Sequence, residues 1–351
     1  VRNNIITASR MVCIQKCLRQ HYWQYEIGLR KTDSALALRL GSAWARAMEA
    51  RWKGASYQSA LGVAIPEGID LDSYQCETIA ALLAGYYDFW GQRENCGKIQ
   101  PEYQFYSEIE GADGWESKGM LDGIGKLKDG SGVIIENKTT SDSIEPDSDY
   151  WIRLHFNVQI LQYITEAIKL GFDIQSLYYD VVHKPMIKPK MVDVLDRNGK
   201  KIVLDRNGKR VFFESGKNKG QPRQTSDKAK GYTVKSHTET PGEFSDRLWK
   251  DTVARPEFYF TRRQVPILDD VLETFKIHRL NIIKLIEHLR AQEQFKFDPE
   301  PWMRFVASDN CKYCTYKSFC LQNTTININN PPEGFEIKSF NPELENESTK
   351  I

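Results

Sequence analysis

The sequence predicts an α/β protein. Three stretches carry that expectation. Val133-Ile134-Ile135-Glu136 is a short apolar run closing on a charge, the pattern of a buried strand. Between Phe156 and Leu170 the apolar residues Ile160, Leu161, Ile164, Ala167 and Ile168 recur at helical spacing. Ser176 to His183 is rich in β-branched and aromatic residues and reads as a second strand. The chain has 351 residues, 40% hydrophobic and 27% charged, enough for one large or two modest domains with an ordinary core.

The remaining elements follow in chain order. Residues 1 to 30 hold Ser9, Cys13, Cys17, Arg19, Tyr22 and Tyr25 and end at Gly28-Leu29. Helical spacing places Cys13, Cys17 and roughly Gln20-His21 along one face. Alone, a helical cysteine is most often a small buried hydrophobe. Residues 34 to 53 are rich in alanine and leucine and predict a helix. A second helix is expected over 73 to 92, its buried side formed by Ile79, Leu82, Leu83, Tyr86, Tyr87 and Trp90. Pro101 to Ile109 reads as a strand, with Glu102 at its start a candidate functional carboxylate.

Met120 to Leu127 alternates loosely and runs into Lys128-Asp129-Gly130-Ser131-Gly132, an Asp-Gly hairpin signal. Folding the hairpin about residues 129 to 132 brings Asp122 within a residue or two of Glu136. Strand alternation puts Glu136 and Lys138 on one face. Two carboxylates and a lysine then crowd one spot. Neighbouring carboxylates repel unless a cation sits between them, and Mg²⁺ takes oxygen ligands and keeps several waters. A Glu-x-Lys pair by itself is more often a surface salt bridge on an exposed strand.

Past the strand at Ser176 to His183, Lys184 to Lys190 suits an extended basic loop; an ordinary solvated linker explains it equally well. Residues 191 to 235 contain a near tandem duplicate, LDRNGKKIV and LDRNGKRVF, each with an Asn-Gly hairpin turn. The Gly/Lys/Gln/Ser-rich stretch from Ser215 to Lys230 is expected to be mobile. Residues 241 to 295 are expected to be helical. Within them Tyr259-Phe260-Thr261-Arg262-Arg263 pairs aromatics with arginines suited to phosphate, and Asp269 to Gln292 forms a long amphipathic helix.

Cys311, Cys314 and Cys320 form a C-x2-C-x5-C set. Seven cysteines without a secretion pattern argue against a disulfide framework. Soft thiolates choose zinc or an iron–sulfur cluster, and Cys17 would complete a set of four. Cys76 and Cys96 lack neighbours and read as structural. Net charge is +1, so any affinity for an anionic partner has to be local.

Gly119-Met-Leu-Asp122, Glu136-Asn137-Lys138-Thr139-Thr140 and Gln159-x-x-x-Tyr163 together resemble the PD-(D/E)XK nuclease superfamily, in its RecB-like and AddB-like exonuclease branch. The split cysteine set Cys17, Cys311, Cys314 and Cys320 resembles the iron–sulfur site of that branch. The resemblance covers most of residues 5 to 322 and looks most like phage-encoded members. It implies a restriction-endonuclease-like core, a central mixed sheet flanked by helices, with helical additions and an iron–sulfur-bearing staple of the two chain ends. It implies Mg²⁺ or Mn²⁺ bound by Asp122, Glu136 and the Asn137 carbonyl, with Lys138 catalytic and Gln159 and Tyr163 near the DNA. It also implies a 4Fe–4S cluster on the four cysteines, zinc being the alternative. The usual Gly-x-x-x-His of the family departs at Ala45, where Gly41-Ser42-Ala43-Trp44 otherwise fits. Glu49, one turn further, is a further candidate ligand, or a solvated helix charge.

The expected organisation is one nuclease domain over 1–322. Its core spans about 98–185, a β-hairpin insertion about 190–235, an iron–sulfur part 9–30 plus 305–322, and a flexible tail 323–351. The expected function is metal-dependent DNA exonuclease action on single strands or DNA ends, in recombination, repair or phage DNA processing. The alternative is a DNA-binding or partner-binding module weakened or silenced by Ala45. Lys184, Arg262 and Arg263 are the candidate backbone contacts. The expected partner is DNA, and the resemblance adds a helicase or recombinase as a candidate further partner. The expected setting is cytoplasmic, in a bacterial or phage-infected cell, since no run has transmembrane length.

Overall fold

The computed structural model describes residues 2–32, 36–154, 157–305, 308–322, 324 and 326–338. The expected first residues of the helix from 34, the Phe156 end of the Gln-x-x-x-Tyr helix and residues 339–351 of the expected tail lie outside them.

The chain opens with β1 (Ile5–Ile6), α1 (Ala8–Lys16) and the short α2 (Leu18–His21), which passes into a π-helical turn, Tyr22–Glu26. Thr7 caps α1, its hydroxyl accepting from Arg10 N–H. The expected single helical face from Cys13 to His21 is broken at Cys17, whose extended backbone (φ −166°) ends α1 and starts α2. Then come β2 (Leu29–Lys31), α3 (Leu36–Trp52), α4 (Tyr57–Ala64) and α5 (Ser73–Gly91). A reciprocal Asp72–Gln75 capping box starts α5.

The sheet strands follow: β3 (Cys96–Glu108), β4 (Glu116–Leu127) and β5 (Gly132–Thr140). After α6 (Asp149–Leu154) and α7 (Val158–Lys169), β6 (Ser176–His183) returns parallel to β5. A small β module holds β7 (Met191–Asp193), β8 (Val203–Leu204), β9 (Thr233–Val234) and β10 (Ser236–Thr238). The chain closes with α8 (Pro241–Ala254), α9 (Pro256–Tyr259), β11 (Phe260–Val265), α10 (Asp269–Ala291), α11 (Ser308–Lys312), α12 (Lys317–Gln322) and β12 (Phe335–Ile337).

The six-stranded sheet is mixed, as expected. Its main path runs β1, β4, β5, β6, β11, with β3 also paired to β4. Val133, Ile134 and Ile135 have no exposed surface, because helices cover both faces of β5. One cluster packs α3, α5 and α8 around Tyr86 and Phe260. Another packs α6 and α7 around Ile160 and Ile164. A third joins the two ends of the chain around Trp23, Trp115 and Trp302.

β3 occupies one edge of β4 along nearly its full length. The other edge is shared end to end: β1 pairs at Glu116 and Ser117, and β5 pairs from Gly123 to Lys126. Residues 118 to 122 between them join neither ladder, and there the edge of β4 opens.

Glycines permit close backbone approaches in this sheet. A Cβ on Gly125 would stand 2.1 Å from the Lys98 carbonyl oxygen and 2.9 Å from Ile99 Cα, beside the register shift in β3. Backbone cannot give way as a flexible side chain can. Gly125→Ala is therefore expected to destabilise by about 3 kcal/mol or more, read as a fall in the urea midpoint. An unchanged midpoint would refute the close approach.

Two expectations change. Phe260 to Val265 is a strand pairing with β6 rather than part of a helical region, because its apolar side closes the sheet core. The segment from 326 to 338 is docked rather than a free tail: Ile326 is buried, and β12 pairs antiparallel with β2. Among the described residues no helix is long and apolar enough to cross a membrane.

Candidate active site

Asp122 sits where β4 and β5 part. The ladder ends at Gly123 opposite Ile135. One step further, the Asn137 N–H donates to Asp122 Oδ2 at 2.7 Å. Glu136 and Lys138 continue β5 on the same side. Glu136 is 1% exposed. Lys138 Nζ donates to Glu136 Oε1 at 2.5 Å and to Gln159 Oε1 at 2.9 Å. Gln159 Nε2 donates in turn to Tyr163 Oη at 2.9 Å. Gln159 and Tyr163 come from the first turns of α7, where Asn157 caps the helix by accepting from Gln159 N–H at 2.9 Å. Two strands and one helix thus converge on one chain of polar contacts.

The electrostatics are those of a crowded anionic spot. Burial first, and then the Glu136 charge, push the Asp122 carboxyl up, against the pull of Lys138 and the Asn137 N–H. Burial draws Lys138 down, but the charges of Glu136 and Asp122 outweigh it and push the ammonium above its ordinary value. The second oxygen of Glu136 is buried without a hydrogen-bond partner among the described residues. A buried carboxylate oxygen without a donor is costly, and a hard cation between Asp122 and Glu136 would satisfy it. The residues fit such an ion in donor type and placement.

Glu102 stands opposite Asp122 across the other edge of β4, since Pro101 pairs with Gly123 and Tyr103 with Leu121. Its φ is +48°, a strained value for a glutamate, and its charge adds to the upward push on Asp122.

The open edge of β4 forms a cleft of about 370 Å³, walled by Lys118, Asp122, Gln159 and the capped starts of α1 and α7 at Thr7 and Asn157. The cleft leads directly to Asp122.

The remaining candidates are placed as follows. α3 packs across β3, β4 and β5, and a Cβ on Gly41 would touch Thr139 Oγ1 at 3.9 Å. Ala45, one turn on, is exposed and offers no ligand atom. Glu49 is paired to Lys53. Among the described residues no third carboxylate, imidazole or thiol joins Asp122 and Glu136 in a metal-holding set. Lys184 is half-buried where β6 ends, its N–H donating to Thr140 O at 2.7 Å. Arg263 is exposed, bonds Pro146 O at 2.7 Å and lies over Trp151.

Arg262 corrects the sequence reading. Its side chain is 3% exposed and is held by Asp180 at 2.8 Å and Glu94 at 2.6 Å. It also stacks on Trp90, 4.2 Å from the ring centre. It faces the core, where it cannot reach a backbone phosphate.

Cys17, Cys311, Cys314 and Cys320 line one cavity of about 300 Å³. Asn310 Nδ2 donates to Lys16 O at 3.1 Å, and Arg19 Nε to Trp302 O at 2.7 Å, so the two chain ends are tied beside it. Burial first, opposed by the Tyr316 N–H and then aided by the nearby charges of Cys320, Cys17 and Cys311, raises the Cys314 thiol. Four thiols on one cavity suit a soft metal group, although as they stand no three form a closed set around a single ion. Cys13 lies behind them, buried, its thiol pushed up to about 12 by burial first, the mark of a packing residue.

A family model described as PD-(D/E)XK nuclease superfamily matches residues 5–321. Among the solved structures that resemble the chain are the following two. The protein SSO0001 is 12% identical, over 93% of this chain and 89% of that one, with a TM-score of 0.30. A candidate exonuclease of Eubacterium rectale is 9% identical, over 76% of this chain and 87% of that one, with a TM-score of 0.35. No curated protein sequence matches.

Proposed function

Because the chain belongs to the PD-(D/E)XK nuclease superfamily, we propose that it is a metal-dependent DNA exonuclease acting at Asp122, Glu136 and Lys138. The observation that carries this reading is Asp122 close enough to feel the charges of Glu136 and Lys138, with one Glu136 oxygen buried and unpartnered among the described residues. Asp122, Glu136 and the Asn137 carbonyl would hold Mg²⁺ or Mn²⁺. When bound, such an ion lowers the pKa of a water and neutralises charge on the phosphate. Lys138, fixed between Glu136 and Gln159, supplies a positioned positive charge to the phosphate or the attacking water. Gln159 and Tyr163 hold Lys138 in register and line the route along the cleft. The opening beside β4 suits one strand led past Asp122, which favours attack at an end or on a single strand.

The test uses end-labelled single- and double-stranded DNA with Mg²⁺, Mn²⁺ or EDTA. Stepwise loss from one end, dependent on the metal, is expected. Internal cuts would overturn the exonuclease part. DNA binding without cleavage under any metal would move the reading to a binding module, for which Ala45 is the supporting observation. In that case Ala45→His is the variant to make.

For the cysteines the proposed group is a 4Fe–4S cluster held by Cys17, Cys311, Cys314 and Cys320. Tetrahedral zinc with bonds near 2.3 Å needs four sulfurs drawn close together. A cavity of about 300 Å³ bordered by the four thiols suits a larger body. The cluster would tie Cys17 to the segment from Cys311 to Cys320, next to the core around Trp23 and Trp302. Anaerobically purified Cys17→Ala is expected to lose iron and inorganic sulfide together and to melt at lower temperature. Zinc with no iron in the unaltered protein would overturn the cluster. Work in DNA recombination, repair or phage DNA processing, beside a helicase or recombinase, is the setting proposed for this activity.

A further inference from the structure

The charge of this chain is unevenly placed. Residues 184–235 carry fifteen Lys and Arg against five Asp and Glu, while the whole chain has a net charge of only +1. The remainder carries 33 Lys and Arg against 42 Asp and Glu and is net acidic, so this one segment supplies more than the whole positive excess.

The segment is a folded body rather than a solvated loop. β8 pairs with β9, and bridges join Leu195 to Lys201, Leu204 to Arg210 and Phe212 to Pro222. Val203 is fully buried and Val211 nearly so. Arg223 lies between the rings of Phe213, at 4.6 Å, and Tyr232, at 5.4 Å. The two Asp-Arg-Asn-Gly-Lys repeats build matching loops. Asp196 accepts from the N–H groups of Asn198 and Lys200, and Asp205 from those of Asn207 and Lys209.

Four of the five acids are engaged within the module, and Glu214 is exposed. Asp196 also pairs with Arg210, Asp193 with Lys201, and Asp227 caps a helical turn. Lys200, Lys209, Lys217, Lys219, Lys228 and Lys230 are left exposed on the outside. Concentrated like charge destabilises a small fold through self-repulsion, so a module of this kind is expected to gain stability from a polyanion.

Its position is also set. β6 runs parallel to β5 with Val181 opposite Lys138 and His183 opposite Thr140. Three residues past the level of Lys138, about 10 Å of extended chain, β6 hands over to Lys184. The neck is clamped where β7 pairs with β10 and Glu239 receives Lys190 N–H and Arg247. The basic module thus leaves the sheet at the end that carries the catalytic residues.

We infer that residues 184–235 form a docking surface for the nucleic-acid backbone, holding phosphates beyond the catalytic cleft through the outward lysines of the repeat module. This rests on the nuclease reading for the identity of the polyanion. Affinity is then dominated by phosphate neutralisation and is strongly salt-dependent.

The test measures binding of fluorescent single- and double-stranded oligonucleotides in EDTA across a salt series, on the Lys138→Ala background so that nothing is cut. Combined Lys200→Gln, Lys209→Gln, Lys217→Gln and Lys219→Gln is expected to weaken binding at least tenfold. It should also flatten the slope of log affinity against log salt by about three. Lys228→Gln with Lys230→Gln is an independent second variant, expected to flatten it by about half as much. Lys250→Gln, Lys276→Gln and Lys284→Gln, exposed lysines elsewhere, serve as the control for net charge. Affinity and slope equal to the parent in both module variants would overturn the inference and leave the nuclease reading untouched. An equal loss in the control would overturn it as well, as a mere net-charge effect. Failure of the unaltered protein to cut DNA, with binding still dependent on these lysines, would sink the nuclease reading and keep the docking surface.

Discussion

Replacing Lys138 with alanine is expected to lower DNA cleavage by about 10²–10³-fold, with secondary structure and DNA affinity retained. The reason is local. Lys138 is the cation that touches both Glu136 and Gln159, and it lies within the field of Asp122. Its removal leaves two carboxylates facing each other and takes away the charge that would meet the phosphate. Lys138→Arg is not expected to restore activity, since a planar fork does not reproduce a compact ammonium between two acceptors. The measurement is single-turnover cleavage of end-labelled DNA at saturating protein, so that a binding defect cannot pass for a chemical one. Cleavage within threefold of the unaltered protein would remove Lys138 from the chemistry.

The largest expected loss of stability away from that chemistry is at Arg262. Arg262→Ala should cost about 3–5 kcal/mol, read as a lowered urea midpoint. Asp180 is 1% exposed and takes Arg262 at 2.8 Å together with the Tyr86 hydroxyl. Without the guanidinium, its charge would be buried with no cation to answer it. The stack on Trp90 and the pair with Glu94 are lost at the same time. Arg262→Ala combined with Asp180→Asn should recover part of the loss, because the charge left behind is removed too. DNA affinity measured well below the melting transition should be unchanged. A weakened affinity with full stability would instead make Arg262 a backbone contact.

The contrast between these two residues shows what the linear pattern carries. Lys138 was legible because strand alternation alone puts it on the face of Glu136, and the Asp-Gly turn alone brings Asp122 beside them. Gln159 and Tyr163 followed from helical spacing within one short element. Arg262 sits next to aromatics in the same way whether it faces solvent or core. The difference lies in Asp180, 82 positions earlier, and Glu94, 168 positions earlier. No local periodicity encodes that distance. The break of the first helix at Cys17 was hidden for a related reason: the segment has adequate helical propensity, and the contacts of Arg19 with Met303 and Trp302 hold the turn from the far end of the chain.

By itself, the sequence determined the elements whose information is local. These are the buried β5 strand, the hairpin that pairs Asp122 with Glu136, the α7 polar pair, and the cysteine spacing at the C-terminal end. Such features depend on side-chain alternation, turn chemistry and helical period, which act over a few residues. Tertiary structure decided the rest. It opened the β4 edge into a cleft by sharing it between β1 and β5, placed Glu102 opposite Asp122, and docked residues 326–338 against β2. It also turned Arg262 inward and folded a charged repeat into a module that follows the end of β6, past the level of Lys138. Each of these depends on which distant surfaces meet, and that is settled by burial and pairing across the whole core, where hydrophobic contact and charge compensation are summed over residues far apart in the chain.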